Sequence, residues 1–240
     1  MLTGGRLIFA ALLLGAAITP AVAQDDAWLP GTFTGNVALT NDYVFRGFTQ
    51  TEEKAAIQGG LDWDSGQGVY LGTWASNVQF GIPGEGSMEL DVYGGYRGSF
   101  GNFTYDIGAI RNFYPGTNKA LDYQWWEATG KVGYDFGIAA VSAGIAYTPD
   151  FFGGLDDSYY YSGKVTVPLP IGIDGLTVDG TIGRQDLKAP FMDVTDYSVG
   201  ITYAMKWFTT DVRYINTDSP VGICKNICDG RVVVKISRAF

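Results

Sequence analysis

The 240-residue chain has no histidine at all and only two cysteines, Cys224 and Cys228. Without an imidazole there is no Ser-His-Asp triad, so triad hydrolysis is excluded. A Ser-Lys dyad or an acid pair is formally possible, but any chain with this many acids and bases offers such pairs by chance. No glycine-rich phosphate loop stands between a strand and a helix. Charged residues are scarce, at 17%, with 16 bases against 25 acids. A chain with no basic patch to neutralise phosphates makes a poor nucleic-acid partner. Beyond residue 18 no apolar stretch approaches the ~20 residues that a membrane-spanning helix needs. These absences point away from an enzyme, and no cofactor is implied.

The one long apolar run lies at the amino terminus. Arg6 precedes twelve apolar residues, Leu7 to Ile18, and Ala21-Val22-Ala23 stands before Gln24. This is the pattern of a cleaved secretory signal over residues 1–23, too short for a membrane anchor. Residues 24–240 then form one domain carrying 15 bases against 25 acids. An exported chain meets an oxidising compartment, so Cys224 and Cys228 are expected to close a small disulfide loop. Half of a metal site is the alternative, weakened by the absence of histidine and of a second cysteine pair.

Glycine (34 residues), tyrosine (15), phenylalanine (14) and tryptophan (6) are abundant, which suits strands and tight turns. Twelve strands are predicted, near 32–47, 54–64, 68–79, 88–99, 102–114, 122–135, 138–148, 157–167, 175–185, 194–205, 207–217 and 229–240. Each is about the length a tilted strand needs to cross a bilayer, roughly 9–11 residues. Most alternate with a period of two. In the last, Val232, Val234, Ile236 and Phe240 share an oily face, with Arg238 its one polar member; Arg231, Val233, Lys235, Ser237 and Ala239 share the other. In the fourth, Leu90, Val92, Gly94 and Tyr96 oppose Glu89, Asp91, Tyr93 and Gly95.

The connections sort by parity. Counted along the chain, the even ones are mostly short: 65–68, 100–102, 136–137, 168–175 and 206–207. The odd ones are longer and polar: 49–53, 81–87, 115–122, 148–157, 185–193 and 218–229. Outer-membrane barrels have short periplasmic turns and long external loops, and a soluble sandwich, the main alternative, has no reason to sort its loops so. The expected fold is therefore all-β, a transmembrane antiparallel β-barrel of about twelve strands. Aromatics near strand ends form its belts: Phe33, Tyr134, Tyr203, Phe208 and Phe240 on the periplasmic side, Tyr43, Phe45, Tyr147 and Tyr214 on the outer side. Arg111 and Arg184 fall on the oily face near external strand ends, where they reach headgroups or mark a register bulge. Phe240, as an aromatic terminus, is the expected assembly signal.

The other parity builds the interior. It carries Asp42, Asp62, Glu89, Asp91, Asp106, Glu127, Asp135, Asp179, Asp196 and Asp211, with Arg46, Arg97, Lys131, Lys164, Arg213, Arg231 and Lys235. Charges inside a barrel are costly unless hydrated or paired, so this mixture predicts a polar lumen with cross-strand ion pairs. Such pairs either brace a closed interior or line a water path that filters by charge. Strand number leaves both open, since about eight strands give a filled interior and about sixteen an open channel. The excess of acid suggests a mild preference for cations.

Four blocks carry a resemblance: Asn41 to Gly47, Ala56 to Gly60, Tyr70 to Asn77, and Tyr114-Pro115-Gly116 followed by Glu127, with the terminal strand Arg231 to Phe240 in support. Together they resemble the Gcw_chp group of proteobacterial outer-membrane proteins, also called TorF-type porins. The resemblance spans nearly the whole exported chain. It implies an outer-membrane barrel in a Gram-negative bacterium, with outer-membrane lipid and the barrel assembly machinery as partners, and passive transport of small hydrophilic solutes. A non-conducting barrel whose external loops bind a partner is the second expectation, and a soluble periplasmic β-protein the third.

Overall fold

A strand with one oily and one polar face must put each against a matching solvent, and an open sheet leaves two edges unpaired. This chain resolves both by closing the sheet. The computed structural model describes residues 30–188, 193–219, 224 and 227–240; the segment 1–23 read as a signal lies outside them. The strands are β1 (Thr32–Thr40), β2 (Val44–Phe45), β3 (Phe48–Thr49), β4 (Ala56–Asp64), β5 (Val69–Asn77), β6 (Met88–Phe100), β7 (Phe103–Phe113), β8 (Trp125–Asp135), β9 (Ala140–Thr148), β10 (Ser158–Pro168), β11 (Leu176–Leu187), β12 (Val194–Ala204), β13 (Thr209–Thr217) and β14 (Arg231–Ala239). Twelve of them, β1 and β4 to β14, form a closed antiparallel barrel in which each pairs with its neighbours in sequence. β2 and β3 form a separate hairpin. Among the described residues no helix is long and apolar enough to cross a membrane.

The seam closes where the two ends of the wall meet. β1 pairs with β14 from Asn36 opposite Ala239 to Thr40 opposite Lys235. Phe240 N–H donates to the Gly35 carbonyl at 2.9 Å and Gly35 N–H to the Phe240 carbonyl at 2.8 Å. A Cβ on Gly35 would stand 2.6 Å from the Phe240 ring, so a larger residue here must displace that ring.

The outward parity matches the expectation. Val92, Ile107, Val132, Ile182, Val199, Val212, Val232, Val234 and Ile236 are all exposed. A band this apolar around a whole wall is not tolerated in water and fits a hydrocarbon surround. Phe33, Tyr134, Tyr203, Phe208 and Phe240 are exposed near the short-turn end, joined there by Phe100, Phe136 and Trp207. Tyr214 is exposed toward the long-loop end, with Tyr159 and Tyr161 on β10. Arg111 and Arg184 do face outward. Pairing runs unbroken through both, Arg111 opposite Val92 and Trp126 and Arg184 opposite Tyr161 and Thr195, so there is no bulge at either.

The short connections, 65–68, 101–102, 136–139, 169–175 and 205–208, gather at one end; the strand ends at Thr40, Asn77, Phe113, Thr148, Leu187 and Thr217, from which the longer connections leave, lie at the other. Most boundaries shift by one or two residues from the sequence reading, and three of the shifts, at β1, β8 and β11, bear on the site. The first strand stops at Thr40 rather than running to 47, because Asn41 turns the chain off the wall: its side-chain amide donates to the Val232 carbonyl and its oxygen accepts from Val234 N–H. The eighth begins at Trp125, not 122, since Asp122 adopts a left-handed φ of 49° after a short 3-10 turn. The eleventh extends to Leu187, which places Gln185 in the wall rather than in a loop.

Candidate functional site

The chain leaving β1 bends into the barrel. Arg46 (φ 48°) and Gly47 (φ 86°) form the two-residue turn between β2 and β3, a left-handed pair of the kind that closes tight hairpins. At Gly47 the fit against β13 is close, since a Cβ would lie 2.2 Å from Thr217 Cγ2. Arg46 at the tip donates to both Glu127 oxygens at 2.7 Å and to Gln185 Oε1 at 2.8 Å. Its guanidinium sits 4.1 Å from the Tyr160 ring centroid. These partners come from β8, β11 and β10, across the ring from the β1 and β4 strands that carry the hairpin. The hairpin therefore spans the bore at its long-loop end. Its root is tied by Asp42, which accepts from Thr49 and Thr51 and pairs with Arg231 at 3.1 Å. Thr49 N–H donates to the Ile227 carbonyl at 2.8 Å and Gln79 N–H to the Gln50 carbonyl at 2.7 Å, so two further loops hold it. One of these contains the Cys224–Cys228 disulfide.

Tyr43 and Phe45 are consequently not in an outer lipid belt. They pack inward on a cluster of Val78, Tyr114, Tyr123 and Trp125, with Phe80, Leu121, Phe151 and Phe152 around it. The rings meet mostly edge to face: Phe80 to Tyr123 at 5.4 Å, Trp125 to Phe151 at 4.9 Å. Four successive long loops thus share one apolar knot at the mouth. Burial, with the neighbouring Glu89 carboxyl, pushes the Tyr43 and Tyr114 phenols well above their ordinary value.

Beneath that knot two carboxyls lie together on β6. Asn112 donates to Asp91 at 2.8 Å and to Glu89 at 3.4 Å, and the Tyr114 hydroxyl donates to Glu89 at 2.9 Å. Among the described residues neither acid makes an ion pair. Among the described residues Glu89 Oε2 and Asn112 Oδ1 are buried with no hydrogen-bond partner, an arrangement that costs free energy in a low dielectric. Farther round the mouth Asp196 accepts from the Tyr160 hydroxyl at 2.9 Å.

The middle of the lumen is divided into two sides. On β4 to β7 the acids are held by phenols: Tyr93 donates to Asp62 at 2.6 Å and Tyr70 to Asp106 at 2.7 Å. Near the short-turn end Arg97 pairs with Asp64, and Asp135 accepts from Gly137 N–H. On β8 to β14 the bases dominate. Arg213 grips Asp179 through two bonds at 2.8 and 2.9 Å and also pairs with Asp211 at 3.0 Å. Lys164 reaches Asp179 at 3.4 Å. Lys131 stands opposite Asp106 in the register, and Lys235 opposite Asp211.

The residues read from the sequence as lumen-lining do not come together as one set. Asp42 and Arg46 belong to the inserted hairpin and not to the wall. Arg46, Glu127, Asp42 and Arg231 form the mouth; Lys131, Lys164, Asp179, Asp211, Arg213 and Lys235 form the middle. Sequence reading did not single out Gln185, Tyr160, Asn112 and Trp125, which are uncharged or aromatic. Only the Arg46-Gly47 pair, flanked by Val44-Phe45 and Phe48-Thr49, hinted at the hairpin. Among the described residues no three acidic or cysteine side chains gather as a metal site.

A family model described as "Bacterial protein of unknown function (Gcw_chp)" matches residues 24–240. No curated protein matches the sequence. Among solved structures the chain is similar to the KdgM porin, with a TM-score of 0.58 at 11% identity over 86% of this chain and 99% of that one. The KdgM porin in complex with disordered oligogalacturonate scores 0.58 at 10% identity, covering 87% and 98%. The NanC porin scores 0.56 at 13% identity, covering 86% and 98%. At these identities the likeness is one of fold.

Proposed function

The chain belongs to the Gcw_chp family of bacterial proteins, and on that footing we propose that it is a porin of the Gram-negative outer membrane, of the TorF type, through which small hydrophilic solutes diffuse passively. One observation carries the reading: a closed twelve-stranded wall turns Val, Ile and Leu outward and ion pairs inward. Residues 1–23 are the removed signal, the short turns are periplasmic and the long loops external. Phe240, at the seam with Gly35, is the terminal aromatic offered to the assembly machinery, and outer-membrane lipid surrounds the belt. The Arg46 hairpin stands in the external mouth, so width there and fixed charge below set what passes.

The occupied mouth itself favours a second reading, a non-conducting barrel that presents its loops to a partner. Single-channel recording of the folded protein in planar bilayers separates the two. Current steps above the lipid baseline, with swelling of loaded liposomes in small sugars, support the porin. A quiet bilayer and inert liposomes with correctly folded protein remove it and leave the loop-binding reading.

A further inference from the structure

We propose that the middle of the lumen holds a binding site for a small polyvalent anion, of the phosphate or carboxylate class, in which the Lys164 and Lys235 ammonium groups bind and Arg213 positions the wall. The proposal deepens the porin reading and rests on it for its role in transport.

The register brings the parts to one level. Asp179, Gly200 and Arg213 lie side by side on β11, β12 and β13. Because Gly200 has no side chain, Arg213 lies flat across β12; a Cβ there would stand 2.9 Å from its Cζ. Arg213 spends its Nε and both Nη groups on Asp179, Asp211 and Ser198. The two acids nearest the lysines are thus already engaged by the guanidinium, with Thr202 taking a further Asp211 lone pair at 2.8 Å. Lys164 keeps only the longer 3.4 Å contact to Asp179. Lys235 makes no ion pair and no hydrogen bond among the described residues.

The lysines also crowd one another. Lys235 lies within Coulombic reach of Lys164 and Arg213, and Lys131 within reach of Lys164. Lys131 faces Asp106 in the register; among the described residues the other three cations, Lys164, Lys235 and Arg213, share two acids, Asp179 and Asp211. Asp106 also accepts from the Tyr70 hydroxyl. Like charges held together in a half-buried space destabilise it until an anion enters. Lysine suits a transit site: a mobile point charge holds an anion without the bidentate grip of arginine, so the solute can leave.

The lumen as a whole has an excess of acid, from which the sequence suggested a preference for cations. The structure sorts that excess away from the middle, into the mouth and under the phenols, and the proposal reverses the expected sign.

The test uses the full-length mature barrel folded in detergent. Inorganic phosphate and citrate are titrated separately by calorimetry at low salt, and the reversal potential is measured in bilayers under a KCl gradient. Fold is checked by heat-modifiable gel mobility. We expect saturable binding of at least one probe; phosphate alone or citrate alone assigns the class. Lys235→Gln and Lys164→Gln should each weaken binding about tenfold, Lys235→Arg should retain it, and the surface control Lys54→Gln should leave it unchanged. The wild-type barrel should favour chloride over potassium, and Lys235→Gln should reduce that ratio severalfold. Absence of binding, or equal losses in Lys54→Gln, overturns the site. A conducting barrel with cation preference overturns the site but keeps the porin. A barrel that binds but passes no current overturns the porin and keeps the site.

Discussion

Replacing Arg46 by alanine should release the mouth. Arg46 and Glu127 pair at 2.7 Å with side chains only 10% and 6% exposed, so removing one partner strands the other. For a buried pair this costs about 3–5 kcal/mol. The lost Gln185 bond adds about 1 kcal/mol and the Tyr160 ring contact about 0.5–2 kcal/mol. Water in the lumen rehydrates Glu127 in part, and a net loss of about 3 kcal/mol is a fair working figure. Every 1.4 kcal/mol is about tenfold, so the docked-to-undocked ratio of the hairpin falls on the order of 100-fold. The assay is single-channel conductance and its noise in planar bilayers. Arg46→Ala should conduct more, with frequent flicker as the hairpin leaves and returns. Arg46→Lys should fall between, because an ammonium cannot bond both oxygens in the guanidinium geometry. Glu127→Ala should mimic Arg46→Ala, and the double variant should add little. If Arg46→Ala and Glu127→Ala leave conductance and noise at the wild-type level, the hairpin is not what limits the mouth.

Val199 is 53% exposed on the outer wall, and Val199→Arg should destabilise the folded barrel by about 2–4 kcal/mol if it faces mid-bilayer; Ser198→Arg, one residue along and inward, should cost less, both read from refolding in lipid vesicles. Gly35→Val, forced against the Phe240 ring, and Phe240→Ala should both reduce the heat-modifiable fraction in outer-membrane preparations; unchanged yields would remove Phe240 from assembly. Tyr43 and Tyr114 have phenols raised well above 10.0. Their neutral forms stabilise the mouth fully below pH 10, and that stability falls as pH rises above it, since the undocked phenols ionise first. Conductance should therefore rise above about pH 10, and a flat profile to pH 11 would contradict the burial of these rings. Glu89→Gln, which removes a buried acid with no cationic partner, should leave the midpoint of thermal unfolding unchanged or raised; a marked drop would show that the acid is ionised and paired.

Strand number and inner-versus-outer assignment were legible because a period of two cannot be read from the wrong face without exposing charge to hydrocarbon. Loop parity was legible for the same reason, since an antiparallel meander alternates its ends. The hairpin was not. Tyr43 and Phe45 resume the outward parity of Val37 and Leu39 after the single polar Asn41, and local pattern extends the strand to Gly47. What stops it is Asn41 binding β14, a contact 191 residues away. The partners of Arg46 lie 81 and 139 residues off and include the uncharged Gln185, which no charge count selects.

Alternation along each strand determined by itself that there is a wall, how many strands build it, and which side chains point out of the ring and which into it. These follow from backbone geometry, in which neighbouring side chains point to opposite faces. Closure alone decided which charges meet across the bore, that the acids are drawn to the mouth and the phenols while the lysines crowd the middle, and that the first long loop lies inside. Those outcomes depend on register and on distances between strands remote in sequence, and no period within a strand encodes them.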